Sequence, residues 1–156
     1  MANRFYLDSS IWSFVLADDV PEFRSATEDF FHHVAIFGWQ IYTSEVVFTE
    51  VRNAHEPRRG LLLDLIRQFQ PIEIPLGEEV LLLSKAYVSS GVLSEGHRED
   101  CLHVACATVA GCDYLLSWNF RHLANERRAS CFVAVNVLHG YNKPIRICTP
   151  LEVYEL

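Results

Sequence analysis

The stretch Glu99-Asp-Cys-Leu-His-Val-Ala-Cys-Ala-Thr-Val-Ala-Gly-Cys-Asp-Tyr-Leu-Leu-Ser-Trp-Asn-Phe-Arg-His122 decides how the rest of the chain is read. From Cys101 to Val109 it is small and apolar on nearly every side, without glycine or proline, which predicts a helix buried between other elements. Gly111 closes that helix. Asp113-Tyr-Leu-Leu-Ser-Trp118 then has the length and apolarity of a buried strand, with Asn119 at its C-terminal end. Open α/β sheets gather their chemistry at the carboxyl ends of the strands, so Asp100 at the helix head and Asn119 at the strand end could face one crevice.

On either side, apolar runs of strand length alternate with helical spacing. Arg4-Phe-Tyr-Leu7 predicts a strand that hands over at Asp8-Ser9-Ser10 to a short helix through Leu16. Pro21 opens a longer helix with Phe23, Thr27, Phe30, Phe31, Val34 and Phe37 at helical spacing, stopped by Gly38. Trp39 to Tyr42 predicts a second strand, Thr43-Ser44 the cap of a helix to about Ala54, Arg58 to Phe69 another helix, and Pro71 to Ile74 a third strand. Glu78 to Val88 predicts a helix, and Ser89 to His97 a polar loop that could form a flap. Beyond Asn119, a short exposed helix is expected over Arg121 to Arg128, a buried strand over Cys131 to Val135, and an edge strand over Ile145 to Cys148. This alternation predicts a single domain over residues 1–156, a three-layer α/β/α sandwich with a mostly parallel central sheet.

Composition narrows the function. No apolar run is long enough to span a membrane, and Met-Ala-Asn-Arg leads into a strand rather than a signal peptide, so a cytoplasmic protein is expected. The 5 cysteines form no CxxC pair and predict reduced core residues. No His recurs with Cys at a zinc spacing, which argues against a transition-metal site. With 13 Lys and Arg against 20 Asp and Glu, the net charge of −7 argues against nucleic-acid binding by bulk electrostatics. The groups Arg52, Arg58, Arg59, Arg67 and Arg121, Arg127, Arg128 read first as solvated helix surface. Trp12, Phe14, Phe23, Phe30 and Phe31 are more aromatic surface than a small domain readily buries, which predicts a patch covered by self-association.

Glu50 is the most informative single residue. On a helical wheel it lies inside the apolar arc of Val46, Val47, Val51 and Ala54, with no Lys or Arg at i±3 or i±4. A carboxylate aimed at a core costs several kcal/mol unless paired, and a cation shared with other carboxylates would pair it; the plainer reading is that it snorkels to water. Asp8 and Asp100 are likewise explicable singly as helix N-terminal acids. Together, Asp8, Glu50, Asp100 and Asn119 offer four hard oxygen donors suited to Mg²⁺ or Mn²⁺. Asp113, a strand's length from Asn119, belongs at the opposite edge of the sheet.

Asp8 after an apolar strand, Ser44-x5-Glu50, Asp100-x2-His103-x-Ala105 and Tyr114-Leu-Leu-Ser-Trp-Asn119 resemble, in order and spacing over nearly the whole chain, the PIN-domain ribonucleases, including the VapC-type toxins of toxin–antitoxin pairs. The resemblance implies a metal-dependent endoribonuclease, often a homodimer, with an antitoxin partner where it is a toxin. By match of position, Asp8, Glu50 and Asp100 would be Mg²⁺ or Mn²⁺ ligands in a catalytic set with Asn119. The family's fourth acidic position usually carries Asp, so Asn119 leaves open an alternative: a weak or inactive PIN-like module that binds RNA or a protein. Ser9 and Ser44 are candidates to hold the carboxylates or orient water, and Arg121 and His122 to touch an RNA phosphate.

Overall fold

A computed structural model describes residues 3–155; Met1 and Ala2, at the head of the stretch expected to lack a signal peptide, lie outside the described residues. Five parallel strands, β1 (Arg4–Leu7), β2 (Gln40–Ser44), β3 (Ile72–Ile74), β4 (Tyr114–Leu116) and β5 (Arg146–Cys148), form one sheet in the order β3-β2-β1-β4-β5. In register, Phe5 faces Ile41 on one side and Tyr114 on the other, and Leu7 faces Leu116. Phe5, Tyr6, Leu7, Leu115 and Leu116 have no exposed surface, as expected of central parallel strands covered on both sides.

The crossovers give the layers. β1 to β2 runs through α1 (Ser9–Phe14) and α2 (Pro21–Phe37), and β2 to β3 through α3 (Glu45–Arg52) and α4 (Arg58–Phe69). From β3 the chain returns through α5 (Glu78–Ser89), a 3-10 turn (Glu95–His97) and α6 (Arg98–Val109) to β4, and reaches β5 through α7 (Glu126–Leu138). Right-handed crossovers laid in opposite directions put the two helix groups on opposite faces. The packing agrees, since α1 meets α2 and α4, and α5 meets α6 and α7. The order reverses between β1 and β4, and a crevice opens there at the carboxyl ends of the strands. Among the described residues, no helix is long and apolar enough to cross a membrane.

Local chemistry explains most boundaries. Asp8 caps α1, Ser44 caps α3 through the Val46 amide, and Gly38 ends α2 in the left-handed region at φ 64°. Four expectations fail. Cys131 to Val135 is not a strand but the middle of α7, and Arg121 to Ala124 is turn, with Glu126 to Arg128 forming the first turn of α7. Asn125 caps that helix through the Arg128 amide, and Phe132, Val135 and Asn136 bury one face at i, i+3, i+4 spacing. The β-branched run was overridden by this helical face and by the buried bonds Asn136 makes with Tyr87 and Thr108. The aromatic residues expected to form a surface patch are instead interior: Trp12, Phe30 and Phe31 are buried, and half-buried Phe14 and Phe23 stack on Trp118. Finally, the loop after α5 is tied down, with Val92 and Leu93 buried and the Val92 carbonyl accepting from Arg128, so it does not form a free flap.

Candidate functional site

Strand β1 delivers Asp8 to the crevice, and the backbone binds it there, the Asp8 amide donating to the Leu116 carbonyl of β4. Its carboxylate Oδ1 accepts from the Ser10 hydroxyl at 2.5 Å and the Ser10 amide at 3.0 Å. The Ser10 hydroxyl in turn accepts from the Trp118 amide at 2.9 Å, so one serine ties the ends of β1 and β4 together. Asp8 is only 4% exposed, and burial raises its pKa, with the charge of His103 and the hydroxyls of Ser10 and Ser117 pulling the other way.

Glu50 does point inward from α3, and it has partners that spacing along one helix could not show. Its Oε1 lies 2.6 Å from Nε2 of His103 on α6, and its Oε2 accepts from the Ser9 hydroxyl at 2.8 Å. Burial alone would raise the Glu50 pKa, but the His103 hydrogen bond and charge and the Ser9 bond outweigh it, and the net shift is downward. For His103, burial disfavours the imidazolium, yet the Glu50 bond and charge, with the charges of Asp8 and Asp100, raise its pKa. Buried His103 is therefore the basic group on which all three carboxylates act. Its Nδ1 lies 2.7 Å from the Tyr6 hydroxyl, which lies 2.7 Å from Ser44 Oγ, giving a buried chain Glu50-His103-Tyr6-Ser44.

The expected site residues thus fall into two sets. Ser9 bonds Glu50, the charges of Asp8, Glu50 and Asp100 all act on His103, and His122 Nδ1 lies 3.3 Å from Asp100 Oδ2. Ser44 holds no carboxylate; it caps α3 and meets Tyr6. Asn119 lies three residues beyond β4 rather than at its end, and its Oδ1 accepts from the His122 amide at 3.0 Å, so its side chain shapes the turn after the strand. Arg121 is exposed on that turn. Asp113 lies at the opposite edge, as expected, accepting from the Arg4 amide at 2.8 Å and pairing with Lys143 at 3.1 Å. The basic group before β3 is largely paired at the surface, Arg52 with Glu45, Arg59 with Glu56 and Arg67 with Asp64.

Sequence reasoning missed the roles of Tyr6, His97 and His103. His103 carried a signal, being the one ring in an otherwise small apolar helix, three residues after Asp100. A cleft of about 790 Å³ between α7 and β5 is lined by none of Asp8, Glu50 or Asp100.

The fold has a solved counterpart. The chain is similar to VapBC2 from Rickettsia felis, solved bound to a DNA fragment from its promoter, with a TM-score of 0.57 and 14% identity over 76% of this chain and 89% of that one. At that identity the likeness is one of fold. Neither a protein-family model nor a curated protein matches the chain.

Proposed function

We propose that the protein is a divalent-metal-dependent endoribonuclease of the PIN type, and that Asp8, Glu50 and Asp100 hold the metal. One observation carries the reading: at the reversal of the strand order Glu50 of α3 lies 2.6 Å from buried His103 of α6, and the charges of Asp8 and Asp100 act on the same imidazole. The donor set fits a hard dication. Asp8 is buried, and desolvation raises its pKa, so a cation bound beside it would favour its charged form. The VapBC2 likeness supports the same reading at the level of fold.

When bound, Mg²⁺ or Mn²⁺ would supply an activated water and neutralise charge on a phosphodiester. The chain's own residues orient the site. Ser9 and His103 each fix one oxygen of Glu50, and Ser10 fixes Asp8 Oδ1 while locking the ends of β1 and β4 together. A toxin role, an antitoxin partner, a cytoplasmic home and a homodimer belong to the same proposal. The aromatic cluster lends the homodimer no support, because it is packed inside.

A second reading, a PIN-like RNA-binding or interaction module with a decayed centre, is favoured by one feature: Asn119 brings no charge, and its oxygen is bonded to the His122 amide. The deciding experiment is cleavage of a fluorogenic single-stranded RNA with Mn²⁺, using wild type, Asp100→Asn and an EDTA control. Cleavage that EDTA and Asp100→Asn both abolish supports the nuclease. Absence of both cleavage and metal binding by calorimetry supports the module, and undiminished cleavage by Asp100→Asn refutes the site.

A further inference from the structure

One cluster in the crevice is unlike the rest of the centre. His97 ends the 3-10 turn before α6, Asp100 lies in the first turn of α6, and His122 lies in the turn after β4. One ring nitrogen from each histidine and one Asp100 carboxylate oxygen all lie within 4.8 Å of one another. The two rings stand 3.9 Å apart between centroids, and His122 Nδ1 is 3.3 Å from Asp100 Oδ2. All three side chains are half-buried, so they are partly ordered by their surroundings yet open to an arriving ion.

We propose that His97, Asp100 and His122 form a binding site for a divalent transition ion of the Zn²⁺ class, distinct in donor chemistry from an all-oxygen magnesium centre. Two ligands at about 2.1 Å from a tetrahedral metal lie about 3.4 Å apart, close to the separation of His122 Nδ1 and Asp100 Oδ2. The third ligand atom lies within 4.8 Å of both, a separation that changes in side-chain rotamer would shorten. Imidazole nitrogen is a ligand for zinc, iron, nickel and copper, whereas Mg²⁺ takes oxygen and keeps its waters, so two histidines beside one carboxylate select against magnesium. Three protein ligands also leave a coordination position open, the pattern of reactive rather than structural zinc sites.

The turn that presents His122 is built for the purpose. Asn119 Oδ1 accepts from the His122 amide, the Asn119 amide donates to the Ser117 hydroxyl, and the Leu123 and Ala124 amides return to the Asn119 carbonyl. Asn119 is thereby a positioning residue. At the place where a fourth carboxylate was expected, the chain puts an amide that holds a histidine in front of Asp100. Spacing along the sequence hid this site, because its histidines come from two turns separated by α6 and β4.

The binding claim stands on this geometry alone. Its relation to catalysis rests on the nuclease reading, through the shared Asp100. The test therefore uses binding: the intact protein, stripped with EDTA and dialysed, is titrated with Zn²⁺ and separately with Mg²⁺, and imidazole ¹⁵N resonances and calorimetric affinity are followed. The expected result is that His97 and His122 nitrogens shift with Zn²⁺ and not with Mg²⁺. His97→Ala and His122→Ala should each weaken Zn²⁺ by at least about tenfold. Asn119→Ala should weaken it less, and Asn119→Asp, which keeps an acceptor for the His122 amide, should restore it. Because the resonances are read on the wild type, a variant that fails to fold does not spoil the test. Zn²⁺ that shifts other histidines, such as the adjacent His32 and His33, or that binds undiminished in both alanine variants, overturns the proposal. Zn²⁺ bound as expected by a protein that cleaves no RNA would leave this site standing while the nuclease reading falls.

Discussion

Replacing His103 by Phe keeps a ring in the core while removing both hydrogen bonds that tie α6 to α3 and β1. Tyr6 keeps Ser44 as a partner, so the main loss falls on Glu50, which retains only Ser9. A hydrogen bond to a charged group contributes about 1.5–3 kcal/mol, and a 2.6 Å contact between His103 and Glu50 belongs among the strong ones. The Glu50 side chain is 29% exposed, and water screens part of that gain, so a coupling of about 2 kcal/mol is expected. For a chain of this size that corresponds to about 4–8 °C in melting temperature. The assay is a double-mutant cycle of His103→Phe and Glu50→Ala, by urea unfolding in EDTA.

The sign of its pH dependence follows from the two shifts. The raised His103 pKa gives stability that is full below the ordinary histidine value of 6.5 and is lost as pH rises through the higher folded value. The lowered Glu50 pKa gives stability that is full above the ordinary value of 4.5 and is lost as pH falls through the lower folded value. The coupling should therefore be largest between about pH 5 and 6.5 and shrink toward alkaline pH. A coupling below about 0.5 kcal/mol at pH 6, or one that grows with pH, would refute the pairing of His103 with Glu50 as the source of this stability.

Asp8→Asn should leave the metal-free protein as stable or raise its melting temperature, because Asn caps helices as well as Asp and removes a buried charge whose pKa burial has raised; stabilisation by Mn²⁺ should vanish in the same variant. A loss of more than about 1 kcal/mol without metal would contradict this. Asn136→Ala should cost about 2–4 kcal/mol in urea unfolding, since it strands the buried Tyr87 and Thr108 hydroxyls, and a cost within about 0.5 kcal/mol would mean the pair finds other partners. Iodoacetamide at pH 8 should label exposed Cys131 rapidly in the native protein. Buried Cys101, Cys112 and Cys148, with thiols pushed up to about 12, should react only on unfolding, and mass spectrometry showing equal labelling would refute it.

The parallel sheet was legible because its strands are apolar runs closed by polar caps, and Asp8, Ser44 and Gly38 perform the capping their types predict. The inward face of Glu50 was legible from the helical wheel for the same reason. Its partner was not, because His103 and Ser9 reach it from elements far away in sequence, and periodicity reports only on a residue's own element. The misreading of α7 has a similar cause. Cys131 to Val135 carries β-branched residues of strand type, and the decisive contact, Asn136 with Tyr87 across the layer, lies outside that window. The histidine pair around Asp100 was hidden in the same way, by depending on where two turns land.

The bonds that assemble the acidic crevice span long stretches of chain, 41 residues from Ser9 to Glu50 and 53 from Glu50 to His103. In biosynthesis this sets a delay. The segment from Asp8 to His122, 114 residues by subtraction, takes roughly 6–23 seconds to make at about 5–20 residues per second. During that time Asp8 and Glu50 have neither the imidazole that organises them nor the third acid that completes them. Whatever chemistry the crevice performs therefore begins only after α6 and the turn beyond β4 have left the ribosome.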